Sequence, residues 1–480
     1  VSIYKPCDIR GPKAKLSPAL YRCWGQVLGG QVAAQAKFVV GGDVRASTPQ
    51  FLTALAEGLS LAGADVVDVG QLPTPMIYYA QRRLRAAGCA MVTASHNPAG
   101  QNGLKWMIGS TPPTAADVAR LRAAAEQSRA GDPENGGGGL LSEDPTENTA
   151  ARAPRTLDVT FDYVAWLQET WIDSVDAELR VVLDPRHGCN AARARRYLQA
   201  VFPRCLFSAL HDTVEPDFGG LSPDCAKAES LIELATAVEH ERADLGIAFD
   251  GDGDRVAFID GDGLQLTAEE ATCVLLESFC SEAAGQKFVY DLKFSDRVVE
   301  TARRLGAETL AERSGHAFLR RRMRETQALF GAEISGHYFY RCLEGGDDGL
   351  FTACWMIAWL AQSRRSLAQQ RRDCPPVFIT PDLRVPLEPT RHAELIDRVR
   401  AVWSGCRQST LDGVRIDFPE GWALVRSSVT EAGLTFRFEA TDWKPLEQLV
   451  KRFCTPLGDV GERLWAVYGQ AMGIHCDSSE

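Results

Sequence analysis

Residues 243–255 read Ala243-Asp244-Leu245-Gly246-Ile247-Ala248-Phe249-Asp250-Gly251-Asp252-Gly253-Asp254-Arg255. The first seven are a short, mostly apolar run of the kind that forms a buried strand. The next six are an acidic loop with two glycines, closed by an arginine. Ligands bind at the carboxyl ends of strands in α/β sheets, so this stretch predicts an α/β protein with a site at 250–255. Carboxylates at every second position repel one another unless a cation neutralises them, and the intervening glycines let the backbone turn their oxygens toward one spot. Oxygen donors of this kind suit Mg²⁺ or Ca²⁺ rather than zinc or copper. An EF-hand loop beginning at Asp250 would need glycine at its sixth position and a bidentate Glu at its twelfth. Arg255 and Gly261 stand there instead, which excludes it. An acidic surface turn is the remaining alternative, so a metal site needs support from elsewhere in the chain.

The bulk properties narrow the class. A chain of 480 residues is too long for one hydrophobic core and predicts about three or four domains. A net charge of −11 argues against general nucleic-acid binding, so an anionic substrate would have to be held by local concentrations of Lys and Arg. No stretch approaches the roughly 20 apolar residues of a membrane span, and the apolar run Leu350 to Leu360 reads as a buried helix. Nothing at the amino terminus resembles a signal peptide. The 14 cysteines form no Cys-x-x-Cys pair. The expectation is reduced thiols in a cytoplasmic enzyme rather than a zinc or redox site.

Around the opening stretch the chain alternates strand and helix. Strands are predicted at 37–41, 64–69 and 88–93, with helices from Thr48-Pro49 to about Ala62 and from Pro75 to Ala87. This β-α-β rhythm implies parallel pairing. The glycine-rich segment 131–155 reads as a loop and linker. Strand 179–184, helices near 190–201 and 228–242, and strand 243–249 follow. A third unit holds helix 267–284, strand 287–291 and helices 295–305 and 316–327. Pro375-Pro376 marks the next boundary and a candidate hinge. Beyond it, strands near 378–386, 413–418, 421–426 and 434–440 with helices 390–404 and 443–454 predict a smaller, mainly antiparallel α+β unit. The last residues, Cys476 to Glu480, read as frayed. The predicted architecture is three successive α/β domains with mixed sheets (1–155, 156–261, 262–375) and a C-terminal α+β domain (376–480), the four arranged around a central cleft.

Strand 88–93 runs into Thr93-Ala94-Ser95-His96-Asn97-Pro98. A serine there is placed to act as a nucleophile, and no Gly-x-Ser-x-Gly elbow supports a hydrolase. Alone it reads as a helix-capping turn. Lys105 lies ten residues on and can reach the same pocket. A serine, a lysine and a metal-binding loop together suit phosphoryl transfer, which depends on positioned cations.

Ser95 in Thr-Ala-Ser-His-Asn-Pro, the 250–255 loop, Glu333-Ile334-Ser335-Gly336-His337 and Arg426-Ser427-Ser428-Val429-Thr430 occur in the order found in the α-D-phosphohexomutase family. Cys7-Asp8-Ile9-Arg10-Gly11, Tyr290-Asp291-Leu292-Lys293 and Arg313-Ser314-Gly315-His316 add lesser matches. The chain resembles the bacterial phosphomannomutase/phosphoglucomutase branch over essentially its whole length. The resemblance implies a phosphoserine at Ser95, and Mg²⁺ held by Asp250, Asp252, Asp254 and an oxygen on that phosphoserine. It implies that Arg255 manages phosphoryl charge, while Arg10, Lys105 and His316 surround the reacting phosphate and sugar hydroxyl. Lys293, Glu333, Ser335 and His337 would face the sugar, and Arg426, Ser428 and Thr430 would grip the non-reacting phosphate. The implied reaction interconverts 6-phospho and 1-phospho mannose or glucose through a hexose 1,6-bisphosphate, which also serves as activator. Sugar phosphates are the implied partners of a monomer or homodimer, with no nucleic acid and no membrane. Phosphoglucosamine mutase and a catalytically silent sugar-phosphate-binding protein are the alternatives.

The match departs in places. Val429 stands where Asn or Gly is usual, and a β-branched residue tolerates positive φ poorly. Glu431-Ala432 replace Thr-Pro or Glu-Pro, Ala332 replaces glycine, and Glu215-Pro216-Asp217-Phe218 lacks a common Pro-Asp-Gly turn. These bear on substrate preference more than on reaction class.

Overall fold

The computed structural model describes residues 2–130, 153–428 and 433–473. Residues 131–152 of the expected 131–155 linker, the carboxyl-terminal residues from 474 on, and Val429, Thr430, Glu431 and Ala432 lie outside them.

Four sheets follow one another along the chain. The first holds β1 (Ile9–Pro12), β2 (Lys37–Gly42), β3 (Asp65–Gln71), β4 (Gly88–Val92), β5 (Gln101–Ile108) and β6 (Arg155–Thr156), in the order β1-β5-β4-β2-β3-β6. β4, β2, β3 and β6 are parallel, whereas β5 returns antiparallel to both β4 and β1. The second sheet has β7 (Arg180–Asp184), β8 (Leu206–Ala209), β9 (Leu245–Phe249) and β10 (Val256–Asp260) in the order β10-β9-β7-β8. The third has β11 (Lys287–Asp291), β12 (Glu308–Glu312), β13 (Phe330–Ala332), β14 (Tyr338–Tyr340) and β15 (Gly346–Asp347) in the order β12-β11-β13-β14-β15. The fourth is antiparallel: β16 (Phe378–Ile379), β17 (Leu383–Val385), β18 (Arg407–Ser409), β19 (Val414–Phe418), β20 (Gly421–Ser427) and β21 (Leu434–Ala440).

The opening stretch folds as read. β9 is fully buried and is paired with β7 on one side and β10 on the other, so residues 250–255 form a tight turn at its carboxyl end. Helix Gly349–Ser363 is buried through most of its length, with Asp348 capping it by accepting from the Phe351 N–H. That matches the apolar run in the sequence.

Several predicted elements are displaced for local reasons. Helix 190–201 begins only at Ala194, because residues 190–193 form turns in which Ala192 has φ 60°. The predicted 228–242 helix splits into a 3-10 turn at Ala228–Leu231 and an α-helix at Ile232–Glu241. The predicted 267–284 helix ends at Ser278, though Thr267 and Glu270 do form a capping box. The helix expected from Thr48-Pro49 runs Thr48–Leu61 with Ser47 as its N-cap, and the Thr48 hydroxyl donates to Asp43 Oδ1 at 2.7 Å. The strand near 378–386 is two short strands interrupted at Pro381, which has no N–H to give the ladder.

The cores divide unevenly. One hydrophobic cluster runs without a break from Val39 and Ile77 in the first unit, through Val181 and Phe249 in the second, to Phe330 and Met356 in the third. The fourth sheet has a separate core with helices His392–Val402, Trp443–Cys454 and Asp459–Met472. A small apolar cluster of Leu292, Trp422 and Leu424 joins it to the third, beside ion pairs such as Arg415–Asp296 and Arg437–Glu269, each at 2.8 Å.

Candidate active site

Ser95 follows β4, fully buried, with φ 53°. A non-glycine residue held there costs on the order of 1 kcal/mol and persists only where its surroundings fix it. They do. The Ser95 N–H donates to Thr93 Oγ1 at 2.8 Å, and its carbonyl accepts from Arg45 Nη2 at 2.7 Å. Its hydroxyl then lies 3.0 Å from Asp250 Oδ2 and 3.4 Å from His96 Nδ1. A Cβ added to Gly251 would sit 2.9 Å from the Ser95 carbonyl oxygen. Glycine at 251 is therefore what lets the acidic loop approach the serine loop so closely.

Asp250, Asp252 and Asp254 are all buried, and ligand atoms of the three lie within 4.8 Å of one another. Asp250 Oδ1 accepts from the N–H groups of Gly253 at 2.9 Å and Arg255 at 3.1 Å. Asp252 Oδ2 accepts from Lys105 Nζ and Thr74 Oγ1, each at 2.7 Å. The same ammonium reaches Asp254. The second oxygens, Asp252 Oδ1 and Asp254 Oδ1, are buried without a hydrogen-bond partner. A buried oxygen without a donor is unfavourable unless a cation takes its place. Hard anionic oxygens left open in this way fit a divalent cation. Burial together with the charges of Asp252 and Asp254 raises the Asp250 carboxyl well above its ordinary range. Burial would raise Asp252 as well, but the Lys105 ammonium overrides it and holds that carboxyl well below the ordinary range.

Lys105 is placed by strand geometry. β5 pairs with β4 so that Lys105 faces Met91, and with β1 so that Gly103 faces Arg10. A Cβ on Gly103 would meet the Ile9 carbonyl oxygen at 1.9 Å, so β1 can lie this close only against glycine. Arg10, paired with Asp8 at 2.8 Å, thereby acts electrostatically on Lys105, His96 and Asp252.

The third unit closes this group. Buried His337 lies 2.6 Å from Asp347 through Nδ1, and its Nε2 accepts from Arg255 Nε at 2.9 Å. One ring nitrogen is thus hydrogen-bonded and the other faces a carboxylate. His316 stands with its ring 5.8 Å from that of His337. Burial, reinforced by the nearby charge of Lys105, pushes its pKa well below the imidazole range, so His316 is neutral. His96 is lowered likewise by burial and by Arg255 and Arg10. Glu333 and Ser335 lie in the turn before His337, with Glu333 Oε2 and Ser335 Oγ buried and without hydrogen bonds.

Lys293 and Arg426 belong to a second cluster at the boundary of the third and fourth sheets. Lys293 Nζ lies 3.1 Å from Asp382, and Arg426 Nε lies 2.7 Å from Asp412. Burial raises the Asp412 carboxyl, against the pull of Arg426. Ser428 follows β20, its N–H donating to the Gly433 carbonyl at 2.9 Å. Thr430 falls outside the described residues.

Sequence reasoning missed Asp43, Arg45, Thr74, Asp347, Asp382 and Asp412. Asp43 and Arg45 had a positional signal, the carboxyl end of a predicted strand. Asp347, Asp382 and Asp412 had none, because their partners are distant in the chain. Two departures also resolve. Ala332 is accommodated as a fully buried β13 residue paired with Tyr338. Phe218 carries φ 58° itself.

Among the described residues no helix is long and apolar enough to cross a membrane. Residues 4–129, 162–263 and 268–378 match the family models for phosphoglucomutase/phosphomannomutase alpha/beta/alpha domains I, II and III. A phosphomannomutase/phosphoglucomutase of Pseudomonas aeruginosa is 30% identical over 96% of this chain and 97% of its own. One from Pseudomonas putida is 31% identical over 95% of each. The solved structure of a phosphoglucomutase/phosphomannomutase family protein from Burkholderia thailandensis superposes with a TM-score of 0.84 at 30% identity, covering 95% of this chain and 97% of the other. The N-acetylphosphoglucosamine mutase of Aspergillus fumigatus, solved with GlcNAc-6P and magnesium, is 14% identical with a TM-score of 0.59 over 96% of each chain, a likeness of fold.

Proposed function

Because the chain belongs to the phosphoglucomutase/phosphomannomutase family, we infer that it is a phosphohexomutase interconverting the 6- and 1-phosphates of mannose, glucose or both. The observation that carries this reading is the Ser95 hydroxyl, 3.0 Å from Asp250 in a carboxylate cluster with two unpartnered buried oxygens. Ser95, carrying a phosphoryl group, gives it to the free hydroxyl of a hexose phosphate. The resulting 1,6-bisphosphate turns end for end, and Ser95 takes the other phosphoryl back. Asp250, Asp252, Asp254 and an oxygen on Ser95 would hold Mg²⁺, which when bound neutralises charge on the transferring group. Lys105 and Arg10 would offset phosphoryl charge, and Arg255, hydrogen-bonded to His337 and 4.0 Å from Asp250, would do so beside the metal loop. Neutral His316 would hydrogen-bond the sugar hydroxyl, a bound phosphoryl group's negative charge raising its basicity toward that proton. His337 serves as an orienting residue, since its Nε2 accepts from Arg255 while its Nδ1 faces Asp347. Lys293, Glu333 and Ser335 would meet the sugar, and Arg426, Ser428 and Thr430 the distal phosphate. A remote phosphate grip supplies binding energy that orients the reacting end.

The reading extends to the setting. A hexose 1,6-bisphosphate primes Ser95, and the four units act as domains 1–155, 156–261, 262–375 and 376–480. The free thiols among the described residues fit a reducing cytoplasm, and the active unit is a monomer or homodimer. A coupled assay of glucose, mannose and glucosamine 1-phosphates, with and without Mg²⁺ and bisphosphate, tests the activity. Intact-mass analysis should find a fraction about 80 Da heavy that Ser95→Ala abolishes. Full turnover by Ser95→Ala would overturn the mechanism.

A further inference from the structure

Arg45 is fully buried, and its guanidinium gathers the backbone of the serine loop. It donates to the carbonyls of Ser95 at 2.7 Å, Asn97 at 2.6 Å, Pro98 at 2.7 Å and Gln101 at 3.2 Å, and to Asp43 Oδ2 at 2.8 Å. Every one of those contacts lies within the first unit. The face of the guanidinium is covered from the second unit by the ring of Phe218, 4.9 Å away.

Phe218 is held there against its own preference. It is fully buried at φ 58°, a conformation that bulky side chains avoid, while the next residue is a glycine. The turn around it is fixed by hydrogen bonds from the Phe218 N–H to the Glu215 carbonyl at 3.0 Å and from the Gly219 N–H to Asp217 Oδ1 at 3.2 Å. The Glu215 N–H is anchored in turn on the His187 carbonyl at 3.1 Å. Strain that the surroundings over-determine in this way is found where position matters to function. The far edge of the ring packs on the metal loop, since a Cβ on Gly251 would lie 3.1 Å from Phe218 Cε1. Val44, Ala99 and Cys189 complete the apolar pocket around it. One ring therefore touches both the cation that holds the Ser95 loop and the loop that carries the carboxylates.

We propose that Phe218 is a positioning residue for phosphoryl transfer, a pin from the second domain that sets the Ser95 loop, through Arg45, against the metal loop. This rests on the reading of Ser95 as the phosphoryl carrier. A serine that must both give and take a phosphoryl group needs one distance to the carboxylates throughout the cycle. Misplacement by about 1 Å costs on the order of 10²-fold in rate.

The test compares Phe218→Leu, which removes the aromatic face, with Phe218→Tyr, which keeps it, and with pentafluorophenylalanine at 218, which keeps the shape and reverses the ring's charge distribution. Steady-state kinetics and single-turnover transfer from labelled bisphosphate to Ser95 are read on folded protein, checked by thermal unfolding. Phe218→Leu should lower kcat roughly 10- to 100-fold, leave KM within about twofold, and slow transfer to Ser95 by the same factor as kcat. Tyrosine should restore kcat to within about threefold, and the fluorinated ring should lose several-fold while the protein stays folded at the assay temperature. If Phe218→Leu does not fold, the fluorinated protein decides alone. The proposal is overturned if the loss falls on KM and kcat together without rescue by tyrosine, or if the fluorinated ring leaves kcat and transfer unchanged. The parent enzyme, run in the same assays, tests the reading of Ser95 separately: no labelling of the parent would reject that reading rather than the pin.

Discussion

The proposed reacting end and the proposed holding end of this site are built in opposite ways. Around Ser95, the hydrogen-bonding groups are fixed before any substrate arrives: Arg45 is saturated by backbone and carboxylate, Lys105 bridges two aspartates, and the surrounding core runs unbroken through three units. Around Arg426, the cations are paired with Asp412 and Asp382, carboxylates that a phosphate would have to replace, in a unit with its own core. The first arrangement favours one geometry, as transition-state stabilisation requires. The second allows partners to be exchanged, as a sugar that must turn around and rebind requires.

Ser95→Ala should break the reacting end most completely, with turnover falling by about 10⁴-fold or more and no phosphorylated mass. Coupled assay and intact-mass measurement check this together. Lys105→Met should come next. It leaves Asp252 and Asp254 buried without their cation, so we expect roughly 3–5 kcal/mol less stability in urea unfolding, partly recovered on adding Mg²⁺. A loss below about 1 kcal/mol would mean that this end is not preorganised by charge pairing.

At the holding end, Arg426→Ala should raise KM about 10²-fold while kcat changes less than about tenfold. An equal fall in kcat would erase the distinction between the ends. Asp412→Asn should lower KM by a few-fold, since Arg426 no longer gives up a carboxylate to take a phosphate. Unchanged or raised KM would assign Asp412 to orientation instead.

The smallest expected effect is on stability with pH. His96 and His316 have folded pKa values depressed by burial, whereas in the unfolded chain they take protons near pH 6.5. The unfolded state then binds more protons at low pH, so stability falls as pH drops below about 6.5, by on the order of 1 kcal/mol per histidine at pH 5.5. His316→Asn should flatten that slope in denaturant titrations at pH 5.5 and 7.5. A variant with the parent's slope would show that His316 does not resist protonation in the folded protein.

Some of this was legible residue by residue. The apolar run 243–249 and the acidic loop after it carry a strand and a site in thirteen consecutive letters, because strand burial and loop charge are both local properties. Ser95 and Lys105 were legible only as a pair with that loop. Helix starts such as Ala194 were misread where a positive φ at Ala192, invisible in composition, delays the helix.

Sequence by itself determined the α/β class and the order of the four units, and it nominated the residue types of the proposed reacting end, since periodicity and motif spacing are written along the chain. Only the tertiary structure decided how those residues are held. It set Arg45 beneath Ser95, His337 between Asp347 and Arg255, and Asp412 on Arg426. It also showed that Phe218, read as a departure, bears a strained φ between two domains. Each of these depends on groups far apart in the chain meeting in a buried space, where an unpaired charge or carbonyl is costly. Spacing along a sequence carries no record of which distant partner meets that need.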